Sequence, residues 1–273
     1  MKRSLFPLAV LALVVLFLYL PIFVLSLNSF NASRFGGSWD GFTVKWYAML
    51  LRDHTIWQAL ANSLLIACGA TLGACVVGTT AALALHRWES RLQAFHNALI
   101  YTPLVIPEIL MGMSLLLLFT ALGVDCGRHT ILLAHITFCV SYVAMTVLAR
   151  LQDFDTALIE AARDLGANAW AAFLRIQLPL LMPGIIAGGL LAFTLSVDDF
   201  VITFFVSGPG STTLPLRVYS MIKHSRHMPV INALSTLLLV VTFAAVLVSR
   251  LLQKKRTTRS HTLLATPLGE SAT

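Results

Sequence analysis

Charge is scarce in this chain. Asp, Glu, Lys and Arg make up 11% of its 273 residues, while hydrophobic residues make up 58%; soluble domains carry roughly 25% charged residues. That deficit excludes an ordinary water-soluble globule. Strict alternation of apolar and polar residues is also missing, so a membrane barrel is excluded and helices must satisfy the backbone inside lipid. No lysine follows a glycine anywhere, so the phosphate-cradling GxxxxGK[ST] loop is absent. If ATP drives this protein, another chain binds it. The four cysteines, Cys68, Cys75, Cys126 and Cys139, show no CxxC or metal-ligand spacing, and His86, His96, His129, His224 and His227 lack zinc spacing. They read as packing or surface residues, with no metal site and no disulfide framework.

What the chain does have is long apolar runs. A helix needs about 20 residues to cross the hydrocarbon core, and such runs lie at about 5–27, 59–85, 99–122, 130–149, 183–206 and 228–249. They predict an all-α transmembrane protein with six membrane-spanning helices. Lys2 and Arg3 precede the first run, but the run is longer than a signal-peptide core, so it reads as a retained span. Six spans place both termini on one side. With the termini inside, twelve of the nineteen basic residues fall on the cytoplasmic side, and the segment around Glu160 is cytoplasmic too. The net charge of +7 follows from this bias and from the basic tail at Arg250 to Arg259, with no nucleic-acid partner implied. Residues 253–273 are polar and expected to be mobile.

The longest polar interruption is the loop 150–179. Asp155 or Thr156 can cap a helix running from Ala157 to Leu165, because a short oxygen-bearing side chain accepts from the free N–H groups of a first turn. Gly166 suits the chain reversal that ends it. Asn168 can cap a second short helix to Ile176, and Pro179 with Pro183 is expected to stop that helix from running smoothly into the next span. Ala161 and Ala162 are small enough to let a partner backbone come close. Taken on the alanines alone, the element reads as an ordinary amphipathic loop lying on the lipid surface.

Acidic residues number 12, and only Glu108, Asp198 and Asp199 fall within the expected spans. A carboxylate at the bilayer centre costs on the order of 3 kcal/mol on insertion scales, so each is a candidate functional group. Glu108 follows Pro103 and Pro107, which free backbone carbonyls nearby. Asp198 and Asp199 would point about 100° apart on a helix, so only one need face a pathway. For all three, contact with a substrate and structural pairing are both open. Carboxylates close to Phe193, Phe200, Phe204 and Phe205 would suit a flexible organic cation.

Glu160-Ala161-Ala162, Gly166, and Ile176-x-Leu178-Pro179 together resemble the loop by which permeases of bacterial ATP-binding-cassette importers dock their ATPase. The runs 196–202, 205–210, 213–215, 231–236 and 134–139 resemble the second permease subunit of putrescine and spermidine importers. The resemblance implies the type I importer permease fold with a cytoplasmic coupling helix, in the bacterial inner membrane. It implies a heterodimer with a homologous permease, an ATP-binding subunit dimer and a periplasmic solute-binding protein. ATP and Mg would sit on the ATPase, with no cofactor on this chain. Glu160, Ala161, Ala162, Gly166, Ile176, Leu178 and Pro179 would then serve ATPase coupling, and Asp198, Asp199, Glu108 and Phe200 the substrate path. Rival readings are an importer permease for another small solute, and a proton-coupled carrier relaying through the carboxylates, which would work without ATP. A hydrolase built on Ser141 or Ser114 with His135 lacks an oxyanion-hole signature; such residues in apolar spans more often bond between helices.

Overall fold

Small residues set at four-residue spacing decide how the spans meet. In the computed structural model, which describes residues 5–34, 38–87, 91–224, 228–244 and 247, helix α3 (His54–Arg87) buries Ala67, Ala70, Ala74, Gly78 and Ala82 on one face. Helix α9 (Leu178–Asp198) does the same with Gly184, Gly188, Ala192 and Ser196. Both faces pack on α6 (Arg128–Gln152), whose buried residues include Ile131, Ala134, Val143 and Val147. Without a hydrophobic drive between helices in lipid, close approach and van der Waals contact hold such a bundle, and small side chains permit it. At Gly188 a side chain would run into Thr146 and the backbone of Val143.

The chain divides into two compact units, residues 1–53 with 221–273, and residues 54–220. The first holds α1 (Leu5–Asn28), whose apolar side chains are exposed along its length as a lipid-facing span requires, and α2 (Lys45–Arg52). Between them, the Asn31 side chain accepts from the N–H groups of Ser33 and Asp40 and donates to the Ser38 carbonyl, while Phe30 stacks on Phe42 at 5.4 Å. The apolar helix α12 (Met228–Ala244) also belongs here. Expected span residues 245, 246, 248 and 249, and the whole tail 253–273, lie outside the described residues.

The second unit holds the bundle and two broken spans. The apolar run expected as one span over 99–122 is instead two helices, α4 (Gln93–Val105) and α5 (Glu108–Ala121), bent by 110°. Pro107 is the reason. It offers no N–H to the helix and pushes the preceding Ile106 into extended backbone, at φ −66° and ψ 130°. The run expected as a span over 183–206 is also broken: α9 stops at Asp198, Asp199 is extended, and a short α10 follows (Val201–Val206). Four helices among the described residues are long and apolar enough to cross a membrane, and the bent α4–α5 pair makes a fifth if it counts as one span.

The loop 150–179 departs from expectation at its far end. Helix α7 (Ala157–Asp164) is followed by α8 (Ala169–Ala172), and Pro179 and Pro183 do not interrupt what comes next. A single π turn over Phe173–Gln177 carries α8 into α9, so that residues 169–198 form one continuous helix. The widened turn lets the Leu178 N–H reach back to Phe173, and it falls where Pro179 has no N–H to give.

At the other end of the bundle, the turn after α10 is pinned from several sides. Ser211 Oγ bonds both the N–H and the carbonyl of Gly208, and Thr130 Oγ1 donates to the Val206 carbonyl. The Asn62 side-chain amide donates to the carbonyls of Gly210 and Thr212, and Ser63 Oγ accepts from the N–H of Leu214, the first residue of α11 (Leu214–His224).

Candidate functional site

Two helix breaks, one in each interrupted span, face the same cavity. Glu108 opens α5 and Asp198 closes α9, and the two come together because α5 packs on α10. Gly112, one turn after Glu108, allows that approach: a side chain there would strike the Phe205 ring and press on Ile202, in α10 just past the break after Asp198. The cavity has a volume of about 190 Å³ and is lined by Pro103, Glu108, Met111, Phe138, Tyr142, Leu195, Asp198, Asp199, Phe200, Val201 and Ile202. Phe200 leans on Tyr219 at 4.8 Å and on Phe204 at 5.7 Å between ring centres, which braces the aromatic wall. All four path residues named from the sequence therefore border one space.

The three carboxylates are not equivalent there. Asp199 does not continue the helix of Asp198; it sits in the break with its side chain 5% exposed and its oxygens occupied. Oδ2 accepts from the Thr203 N–H and hydroxyl, both at 2.8 Å, and lies 3.2 Å from His135 Nε2, while Oδ1 accepts from the Ile202 N–H at 3.3 Å. These bonds satisfy the free N–H groups at the start of α10. Asp199 is thus mainly a cap and a crosslink. Glu108 and Asp198 are exposed, and neither has an ion-pair partner among the described residues.

His135 is the residue that sequence reasoning set aside. Its ring is 1% exposed, with Nδ1 2.7 Å from Ser196 Oγ and Nε2 3.0 Å from Thr203 Oγ1. It meets neither Ser141 nor Ser114 among its bonded partners. It joins helices by hydrogen bonds, and the only sequence signal for it was a lone imidazole in an apolar run.

In the loop 150–179, Glu160 and Ala161 are exposed on α7, but Ala162 is only 8% exposed and packs inward. Of the two motif alanines, Ala161 is therefore the one on the surface; on a helix, adjacent residues point about 100° apart. Gly166 has φ +84°, a left-handed turn for which glycine is suited. Asp155 Oδ1 accepts from the Ala157 N–H at 2.9 Å, and Asn168 Oδ1 from the Ala171 N–H at 2.7 Å. Pro179 is exposed, whereas Ile176 and Leu178 are half-buried along the continuous helix. Two large apolar side chains that the motif does not include stand out beside Glu160: Leu165 is 89% exposed and Trp170 67%.

Comparison with known proteins gives a consistent result. Residues 74–257 match the family described as binding-protein-dependent transport system inner membrane component. The chain is 43% identical over 241 residues to the spermidine/putrescine transport system permease protein PotC of Escherichia coli strain K12, covering 88% of this chain and 91% of PotC. It is 46% identical over 245 residues to the putrescine transport system permease protein PotI of the same strain, covering 87% and 86%. Among solved structures, a bacterial importer of the acidic polysaccharide alginate superposes with a TM-score of 0.70 at 17% identity, over 93% of this chain and 98% of that one.

Proposed function

Because the chain belongs to the family of inner-membrane components of binding-protein-dependent transport systems, we propose that its cavity is half of a path for small organic polycations of the putrescine and spermidine class. It is a multi-pass inner-membrane transport component of an ATP-binding-cassette importer. The observation that supports the cargo is the pair of exposed carboxylates, Glu108 and Asp198, without a cationic partner among the described residues, beside Phe138, Tyr142 and Phe200. Carboxylates held at membrane depth are costly unless something positive meets them. A transported ammonium group meets them transiently, and aromatic faces hold such groups without fixing them. The names of PotC and PotI point to the same cargo.

The rest of the assembly follows from this reading. A homologous permease completes the path, a binding protein delivers cargo from the periplasm, and both termini lie in the cytoplasm. An ATPase dimer binds ATP and Mg and docks on α7, where Glu160 and Ala161 supply the polar and close contacts and Leu165 and Trp170 the apolar ones. Closure of the ATPase dimer opens the path outward, and hydrolysis resets it inward. A proton-coupled carrier lacks a supporting observation, since the best-bonded carboxylate, Asp199, is engaged in capping a helix.

The test is uptake of radiolabelled putrescine and spermidine into proteoliposomes holding the complete importer. Uptake should require ATP and the binding protein, and Asp198→Asn with Glu108→Gln should lower it by on the order of tenfold or more. Uptake driven by a pH gradient without ATP would establish the carrier instead. Undiminished uptake in the double variant would remove the cavity from the path.

A further inference from the structure

One imidazole ties together three successive pieces of a broken span. His135, on α6, bonds Ser196 in the last turn of α9, Asp199 in the break, and Thr203 in α10. It does not itself line the cavity. The Thr203 hydroxyl donates to Asp199 Oδ2, so His135 Nε2 faces two acceptors and bears a proton. Nδ1 shares a hydrogen bond with the Ser196 hydroxyl on the other side of the ring.

We propose that His135 is a positioning residue for the transport cavity: by holding Ser196, Asp199 and Thr203 at once it fixes the angle between α9 and α10, and with it the direction in which Asp198 and Phe200 enter the cavity. The proposal rests on the reading of Asp198 as a path carboxylate. Residues 199 and 200 form the whole linker between the two helices. Asp199 caps α10 from within this linker, and Thr130 on α6 ties the far end of α10 at the Val206 carbonyl. The linker itself and the last turn of α9 are held to a third element by His135, whose helix α6 is fixed in the core by Ala134, Cys139 and Val143. The same ring meets Phe138 edge-on at 5.3 Å, one turn along, and Phe138 is part of the cavity wall. Both the acidic and an aromatic side of the cavity thus take their places from this one residue.

The experiment uses the complete importer in proteoliposomes with His135→Leu, His135→Gln and His135→Asn. The first readout is the number of polyamine molecules moved per ATP hydrolysed, normalised to assembled complex. The second uses a chain whose four native cysteines are replaced by alanine and which carries Asp198→Cys, and follows its modification by a cationic thiosulfonate. His135→Leu should lower the transport ratio on the order of tenfold and change the modification rate several-fold, as expected when a binding group is misplaced. His135→Gln, with an N–H at a reach similar to Nε2, should recover most of both, and the shorter His135→Asn should not. If His135→Leu does not assemble, the Gln and Asn variants decide by the same two readouts. Equal behaviour of Gln and Asn, or unchanged ratio and labelling with only less complex made, would overturn the proposal. A wild-type importer that moves no polyamine would overturn the cargo instead, and the labelling arm would still decide the role of His135.

Discussion

Adjacent aspartates at 198 and 199 have separate tasks. Asp199 is buried and accepts bonds from Ile202, Thr203 and His135, whereas Asp198 is exposed to the cavity and makes none among the described residues. Hydrogen bonds to a charged group contribute about 1.5–3 kcal/mol each. Asp199→Asn should therefore lower the melting temperature of the detergent-purified complex, and Asp198→Asn should leave it in place while reducing uptake. Equal melting of the two variants would show that the bonds of Asp199 carry little weight. The sequence implies that only one of the two need face a pathway but not which one, because that depends on where the helix stops. That stop has no proline or glycine to announce it: the run Ser196 to Val201 contains neither. His135 was unreadable for a related reason, since its three partners lie more than sixty residues away along the chain.

Among the elements, legibility tracks local chemistry. The capping roles of Asp155 and Asn168 and the turn at Gly166 depend on two or three neighbouring residues, and each can be derived from residue type. The break at Pro107 rests on equally local chemistry but was not read, because the run around it is apolar enough to pass as one span. The π turn ahead of Pro179 was missed because two prolines read as an interruption, while a widened turn absorbs the missing donor and keeps the axis running. Packing between elements went unread: Gly184, Gly188, Ala192 and Ser196 stand at four-residue spacing, but the face they form is recognisable only once α9 is seen against α6. Gly188→Leu would force α9 from α6 at Thr146 and Val143. Overpacking of this kind costs about 1–3 kcal/mol, and it should appear as a lower yield of monodisperse complex on size exclusion at raised temperature. An unchanged thermal profile would mean that the helices separate there without loss.

For the whole molecule, the all-helical membrane fold was legible from composition and apolar runs alone, and relatives and structural neighbours agree with it. Its partners were legible only through a motif, because no contact within this chain displays them. On the assembly proposed above, Glu160→Arg or Gly166→Pro should leave the chain in the membrane but separate ATP hydrolysis from uptake. At Gly166 the reason is geometric: φ is +84°, and a proline ring fixes φ near −65°. The measurement is ATP hydrolysed per polyamine imported, and normal stoichiometry in both variants would remove α7 from the coupling route. The continuous helix 169–198 gives that route a mechanical form. At 1.5 Å per residue it is a rod of about 45 Å, with Trp170 at one end and Asp198 at the other. On that proposed route, a stroke applied near Trp170 would be carried along the helix to Asp198, and the grip on a cation would loosen on the same beat as the motor moves.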